Sequence, residues 1–441
     1  MTRRLTTGAL LVLTLLCGLT LALGFANKDR CTGPFFDEHG RSAPDYGQRG
    51  NADVCYSDIQ HLWLGRDVDK HAFPYVDGGL NEQGRLVGGT VEYPVLTGML
   101  IWAGAAFANT DAGFLSLSAI LLAPFGLLTA WLLGRMAGWR ALLWAIGPPL
   151  VLYAFHNWDL AAAAATVAAF AVLLTSNGTL RRRATWAAVL LGAGFALKLY
   201  PAIFVPPLAL YVLTGGDGSR AGRDVRGALR VLGAAAGTAL AVNLPFALAG
   251  FDGWWASFRF QADRAVDLTT NSVWFWAFRP DSDTDDTGFQ DLVGVASPVL
   301  VLASFVLACV LGWQRYRREG SYPVLAVSAA MLCGFLLLHK VHSPQYTLWL
   351  LPFFVLLRIR LTWVFAYFVA DLAMGIGIFR WYSAIQTTGK GGIYDGFAAQ
   401  AVMIGVWGRA ALLAALFFAF LAAKPAVTAS SPQGRVEKGG G

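Results

Sequence analysis

The sequence predicts an all-α, polytopic integral membrane protein with about twelve transmembrane helices. Three observations predict it. Of 441 residues, 56% are hydrophobic and only 14% are charged, whereas an ordinary soluble domain is roughly a quarter charged. Apolar runs of bilayer-spanning length recur from one end of the chain to the other. The charges between those runs are sorted by sign in the way a fixed membrane topology requires.

The runs place spans at 7–26, 112–134, 141–155, 160–176, 185–197, 200–214, 228–249, 292–313, 322–338, 346–357, 361–379 and 397–420. With both termini cytoplasmic, the inner segments are 1–6, 135–140, 177–184, 215–230, 314–320, 358–360 and 421–441. They carry 19 Lys/Arg against 4 Asp/Glu, and the rest of the chain carries 15 against 23. That is the positive-inside pattern. The net charge of +7 therefore reads as topology, and no nucleic-acid partner is expected. The first run follows "MTRR" and ends without a small-residue cleavage site, so it is expected to remain as a first span.

The stretch 93–109, "YPVLTGMLIWAGAAFAN", is apolar enough to resemble another span. Counting it would place "GRMAGWR", "LRRRATW" and "QRYRREG" outside and reverse the charge bias. It is expected instead to be an interfacial or re-entrant helix, opened by Tyr-Pro. The chain then divides into residues 1–214, with a long outer loop at 27–109, and residues 215–420, with an outer loop at 250–291. A cytoplasmic linker at 215–227 joins them, and 421–441 read as a disordered cytoplasmic tail.

Of five cysteines, Cys17, Cys309 and Cys333 fall in apolar runs and read as small hydrophobes. Cys31 and Cys55 share the long polar loop, where a disulfide can form if that loop is extracytoplasmic; their spacing does not prove it. No Cys/His pattern has zinc spacing, and no Walker or dinucleotide glycine motif occurs. Neither a metal nor a cofactor is expected.

Polar groups at membrane level are costly, and here they gather on the outer side. "CYSDIQHLW" supplies Asp58, Gln60 and His61, followed by Glu92 and Tyr93. "FHNWD" supplies His156, Asn157 and Asp159, and "LKLYP" supplies Lys198 and Tyr200. "WWASFRFQADR" ends in Arg264, and "HKVHSPQY" supplies His339, Lys340, His342 and Gln345. Acids, cations and aromatics at one level suit a lipid-linked anionic substrate, with cations on phosphate oxygens and a carboxylate as base.

Plainer readings stand beside these. Trp254, Trp255, Trp274 and Trp276 belong at an interface whatever the function. Lys198 alone reads as a snorkelling lysine. His156 and Asp159 can cap or join helices, Asp111 reads as an N-cap, and Asp371 and Arg409 read as packing charges inside spans. "HKVHSPQY", with three ionisable groups in four residues, favours function. A helix over 57–66 would put Ile59, Leu62, Trp63 and Arg66 on one stripe, with Arg66 snorkelling and Asp58 at the stripe's edge. Asp58 is then a carboxylate at the lipid boundary, or else a solvated loop acid or N-cap; the residues favour neither.

The signal-like first span, the acidic outer loop, the "YP" segment, "KLYP" and "HSPQY" together resemble the GT-C membrane glycosyltransferases. Within that group the chain is most similar to glycosyltransferase family 87, the actinobacterial polyprenyl-phosphate-mannose-dependent α-mannosyltransferases. The resemblance spans most of residues 1–420. It implies a polyprenyl-phosphate sugar as donor substrate, a lipid or glycan acceptor, inversion at the anomeric carbon and an active site on the extracytoplasmic face of the plasma membrane. It implies Asp58 as general base. Lys198, Lys340, His342, His339 and Arg264 would hold the donor phosphate, and Gln60, His61, Tyr93, His156, Asp159, Tyr200 and Gln345 would contact sugar or acceptor. The single acid of "YSDIQ" departs from the paired acids of many GT-C enzymes, so no two-acid metal site is expected. An arabinofuranose donor, or a lipid transporter, is the competing reading; a transporter would show internal repeats and midplane polar groups.

Overall fold

The computed structural model describes residues 5–216, 223–278 and 286–427. The centre of the expected linker, 217–222, and most of the expected tail, 428–441, lie outside the described residues.

The first span is α1 (Thr7–Asp29), started by Thr6, whose hydroxyl accepts from the Ala9 amide. The loop after it is built rather than loose. It holds a two-stranded hairpin, β1 (Phe35–Phe36) and β2 (Ser42–Ala43), then α2 (Tyr46–Ala52) and α3 (Asp58–Gly65), then a second hairpin, β3 (Gly79–Leu80) and β4 (Leu86–Val87). The "YP" segment forms α4 (Val95–Ala105). Eleven residues rise only about 16 Å, roughly half of a hydrocarbon core.

Next come α5 (Asp111–Ala137), α6 (Leu142–Ala145), α7 (Pro148–Tyr153), α8 (Asp159–Thr175), α9 (Leu180–Leu197), α10 (Val205–Leu213) and α11 (Val225–Ala249). The expected span 141–155 is two short helices. Pro148 and Pro149 have no amide hydrogen to continue the ladder, so the chain breaks at Ile146–Gly147 and restarts with proline in the first turn. Residues 200–214 likewise open as a 3-10 turn before α10.

The remainder is α12 (Phe251–Asp263), α13 (Val273–Phe278), α14 (Thr287–Glu319), α15 (Val324–Leu338), α16 (Thr347–Leu356), α17 (Leu361–Thr388) and α18 (Phe397–Ala422). The class is thus all-α, and among the described residues six helices are long and apolar enough to cross a membrane: α1, α5 continued through α6, α11, α14, α17 and α18. The shorter apolar helices lie among them. Every residue of α16 is buried, which places the core around it. α17 runs to Thr388 rather than 379; its 28 residues rise about 42 Å, more than the roughly 30 Å hydrocarbon core.

Close packing uses small residues. α17 and α18 form a hairpin in which a Cβ on Gly405 would lie 2.4 Å from the Met374 amide nitrogen. Arginines close helix C-termini: Arg140 donates to Phe354 O (2.7 Å) and Leu357 O (2.9 Å), and Arg315 donates to Leu421 O (2.7 Å) and Ala423 O (2.9 Å).

Two sequence readings change, those of Asp111 and Arg66, and one, that of Asp371 and Arg409, gains its partners. Asp111 is not the cap of α5; Thr110 is, accepting from Gly113 N. Asp111 is fully buried and anchors the first hairpin, pairing with Arg41 (3.2 Å) and accepting from Ser42 N (3.0 Å) and Oγ (2.6 Å). Asp371 and Arg409 pair with each other at 3.5 Å, joined by the Thr347 hydroxyl, which donates to Asp371. Arg66 does not snorkel; it pairs with Glu92 at 2.8 Å and lies over the Phe260 ring.

Candidate active site

The sequence "YSDIQHLW" starts a helix at its acid, not after it. Ser57 is the N-cap of α3, accepting from Ile59 N, and Asp58 is the first helical residue. Ile59, Leu62 and Trp63 are buried, which fixes the roll of the helix. Its start is docked on the connection between α7 and α8: the Ser57 hydroxyl donates to Phe155 O (2.7 Å) and the Asp58 amide to His156 O (2.8 Å). Cys31 and Cys55 are disulfide-bonded, tying the end of α1 to the residues just before α3. Lys28 donates to Tyr56 O (2.7 Å) at the same junction.

So held, the Asp58 side chain remains 24% exposed, with His156 Nε2 at 3.9 Å. The Tyr93 hydroxyl stands 3.4 Å from Oδ2. Burial works to raise its carboxyl, but His156, His61, Lys198 and a hydrogen bond from Tyr56 outweigh burial and hold it below the ordinary carboxylate value. Burial pushes His156 down to about 4 against the raising effect of Asp58. At neutral pH the carboxylate is ionised beside an uncharged imidazole. That is the state a general base needs.

Lys198 ends α9 with an extended backbone. Instead of reaching to a lipid surface it folds inward, 3.1 Å from Asp159 Oδ1 and 4.5 Å above the Tyr93 ring centre. Trp349 donates to the same Asp159 oxygen at 2.9 Å. The Trp349 ring is stacked between Tyr200 (4.1 Å) and Tyr346 (3.9 Å). These residues come from four separated segments.

One cavity of about 1080 Å³ is bordered by Asp58, His61, Tyr93, His156, Lys198, Tyr200, Arg264, His339 and Gln345. Leu199, Ile203, Val301, Phe305 and Phe335 give it an apolar stretch. Arg264 is oriented by Thr269 (3.3 Å), and the His339 ring stacks on Phe335 at 4.7 Å. Burial lowers the His339 imidazole, helped by Lys340 and Arg264 and opposed by a hydrogen bond to Val341.

Four expected site residues do not border it. Gln60 is buried on the far side of α3 near the Tyr46 hydroxyl (3.3 Å). Lys340 donates to Ala262 O (3.0 Å), and the His342 ring packs against Leu336 O (2.9 Å). Asp159 lies behind Lys198, fully buried. Among the described residues no group of three His, Cys, Asp or Glu side chains is placed to hold a metal ion.

The cavity also takes in Asn157 of "FHNWD", and it has walls that sequence reasoning missed: Tyr56, Tyr346, Trp349 and, from the end of α17, Phe379, Tyr382 and Gln386. Tyr56 lies inside "CYSDIQHLW" and Tyr346 inside "HKVHSPQY". The α17 residues carried no signal, because the hydropathy of that helix fades before it ends.

The cavity brings a carboxylate, cations and stacked aromatics together within a bundle of apolar helices. The profile of glycosyltransferase family 87 matches residues 92–344, more than half of the chain, and the protein belongs to that family. A polyprenol-phosphate-mannose-dependent alpha-(1-2)-phosphatidylinositol mannoside mannosyltransferase of Mycobacterium tuberculosis is 35% identical over 176 residues. That alignment covers 39% of this chain and 36% of the relative, so the match spans little more than a third of the relative's length. Among solved structures, an Archaeoglobus fulgidus oligosaccharyltransferase in the apo form aligns with a TM-score of 0.41 at 12% identity, over 93% of this chain and 55% of that one. At that score the likeness carries no argument.

Proposed function

We propose that the protein transfers a sugar, mannose in the first instance, from a polyprenyl-phosphate donor to a hydroxyl of a lipid or glycan acceptor. The reaction inverts the anomeric carbon and takes place on the extracytoplasmic face. The observation that carries this reading is the joint placement of an ionised Asp58 and of Lys198 on one cavity wall, linked through Tyr93. Membership of family 87 and the name of the mycobacterial relative support the donor class.

In the reaction, Asp58 takes the proton of the acceptor hydroxyl as its oxygen attacks the anomeric carbon. The bond from that carbon to the phosphate oxygen breaks, and the lipid phosphate leaves with the bonding pair. Lys198, with Arg264 and His339, stabilises the charge that grows on the leaving group. The apolar stretch accommodates the first isoprenoid units, and exclusion of water strengthens each of these interactions. Phosphate is already a good leaving group, so stabilising it asks less of the protein than activating the nucleophile.

The test is incubation of purified protein with radiolabelled polyprenyl-phosphate mannose and polyprenyl-phosphate arabinose, separately, with a cell-envelope lipid extract. Transfer of label from the mannose donor into glycolipid is expected. Transfer from the arabinose donor alone would replace the sugar, and no transfer from either would overturn the reading.

A further inference from the structure

Asp58 has two sets of neighbours, and they differ in chemistry. One runs through Tyr93 to Lys198 and so carries positive charge. The other runs through His156 and Tyr56 to α17. Tyr56 stacks on Phe379 (5.6 Å, 28° between planes), His156 lies 5.8 Å from the same ring, and Phe379 meets Tyr382 edge-on at 6.3 Å. Beyond them Asn51 of α2 donates to the Gln386 side-chain oxygen at 3.1 Å. The cavity residues contributed here by α2, α17 and the residue after the disulfide are Asn51, Tyr56, Phe379, Tyr382, Ile385 and Gln386. None carries a charge.

We propose that this α2–α17 wall is the acceptor subsite and that it binds the hydroxyl groups of a neutral sugar on a glycolipid. The inference rests on the transferase reading above and adds where the acceptor lies. The donor's phosphate finds no counter-charge on an uncharged wall, whereas a polyhydroxylated ring is matched by flat aromatic faces and by amides that both donate and accept. The Asn51–Gln386 bond uses one hydrogen of the Asn51 amide and the Gln386 oxygen. It leaves the Gln386 NH2 and the Asn51 carbonyl for a ligand. The wall touches Asp58 through Tyr56 and His156, so a sugar seated there presents a hydroxyl to the base.

The reach of α17 makes the wall possible. Its 28 residues exceed the length needed to cross the hydrocarbon, and α2 packs along it, with Asn51 bonded to Gln386. These positions also fall outside the residues matched by the family profile, 92–344. The donor-side Tyr93 and Lys198 fall inside it. A subsite built from hydrogen-bonding groups discriminates strongly among acceptors, because a missing hydroxyl leaves a partner unsatisfied.

The test is equilibrium binding of two probes, measured separately, to full-length protein in nanodiscs. One is a phosphatidylinositol mannoside and the other is polyprenyl phosphate. Gln386 is exposed, so Gln386→Ala should fold, and Tyr382→Phe provides a second, near-isosteric variant. Loss of one hydrogen bond to a sugar weakens binding about tenfold. The expected result is that rise in Kd for the glycolipid in Gln386→Ala, a smaller rise in Tyr382→Phe, and unchanged affinity for polyprenyl phosphate in both. Glycolipid affinity unchanged in both variants, equal weakening of both probes, or no glycolipid binding by the wild type would overturn the subsite. If polyprenyl phosphate fails to bind while the glycolipid behaves as expected, the donor reading falls and the subsite stands.

Discussion

Asp58 and its neighbours show how burial and charge divide the work at single residues. His156 is almost wholly buried and is held uncharged down to about pH 4, while an unfolded histidine binds a proton near 6.5. Between those values the unfolded chain holds a proton that the folded one does not, so stability present above pH 6.5 is lost as pH falls toward 4. Melting temperature measured from pH 7.5 to 4.5 should fall through that window, and His156→Gln should flatten the fall. Lys198 has a structural duty as well as its proposed chemical one. Lys198→Ala strands the Asp159 carboxylate in the core and should cost about 3–5 kcal/mol. Adding Asp159→Asn should restore much of the melting temperature without restoring affinity for polyprenyl phosphate, and recovery of both would assign Lys198 to stability alone. The acids and cations around this site were visible in the sequence as costly residues in a lipid-soluble chain. Their partners were not. The Lys198–Asp159 and Tyr93–Lys198 contacts join residues 39 to 105 positions apart, and hydropathy contains no term for such pairings.

At the level of elements, hydropathy and charge located the long helices because each must bury an apolar surface in lipid or against a neighbour. They misread elements where backbone chemistry intervenes, as at Pro148–Pro149, where one expected span is two helices. They also stopped α17 at the end of its apolar stretch, although the helix continues to Thr388 along α2. The built form of the outer loop was equally hidden, because its hairpins are two residues long on each strand and rest on side-chain ties such as Arg41–Asp111. Inside the bundle, Asp371 of α17 and Arg409 of α18 are both buried and meet Thr347 at the start of α16. That start carries Tyr346 and Trp349 into the cavity. Arg409→Leu leaves a buried carboxylate without its counter-charge and should destabilise the protein by about 3–5 kcal/mol, whereas Arg409→Leu with Asp371→Leu should recover most of the loss. Thermal melts in detergent decide this, and a double variant no better than the single one would contradict the pairing argument.

For the whole molecule, the membrane helices act as a frame that brings distant segments to one cavity. α3 is pinned by a disulfide and by the connection between α7 and α8; α9 ends on Lys198; α15 ends on His339, and the start of α16 stacks Tyr346 and Trp349 against Tyr200 from the turn before α10; α17 supplies the uncharged wall with α2. The central claim is that this frame makes Asp58 the base for sugar transfer from a lipid phosphate. The most direct measurement compares wild type with Asp58→Asn, which keeps the size of the side chain and removes its basicity. Single-turnover transfer from radiolabelled polyprenyl-phosphate mannose to a glycolipid acceptor is followed in each. Loss of an oriented base predicts a rate about 10²–10⁴-fold lower, with polyprenyl-phosphate affinity and melting temperature close to wild type. Transfer by Asp58→Asn at a rate near that of the wild type would contradict the account.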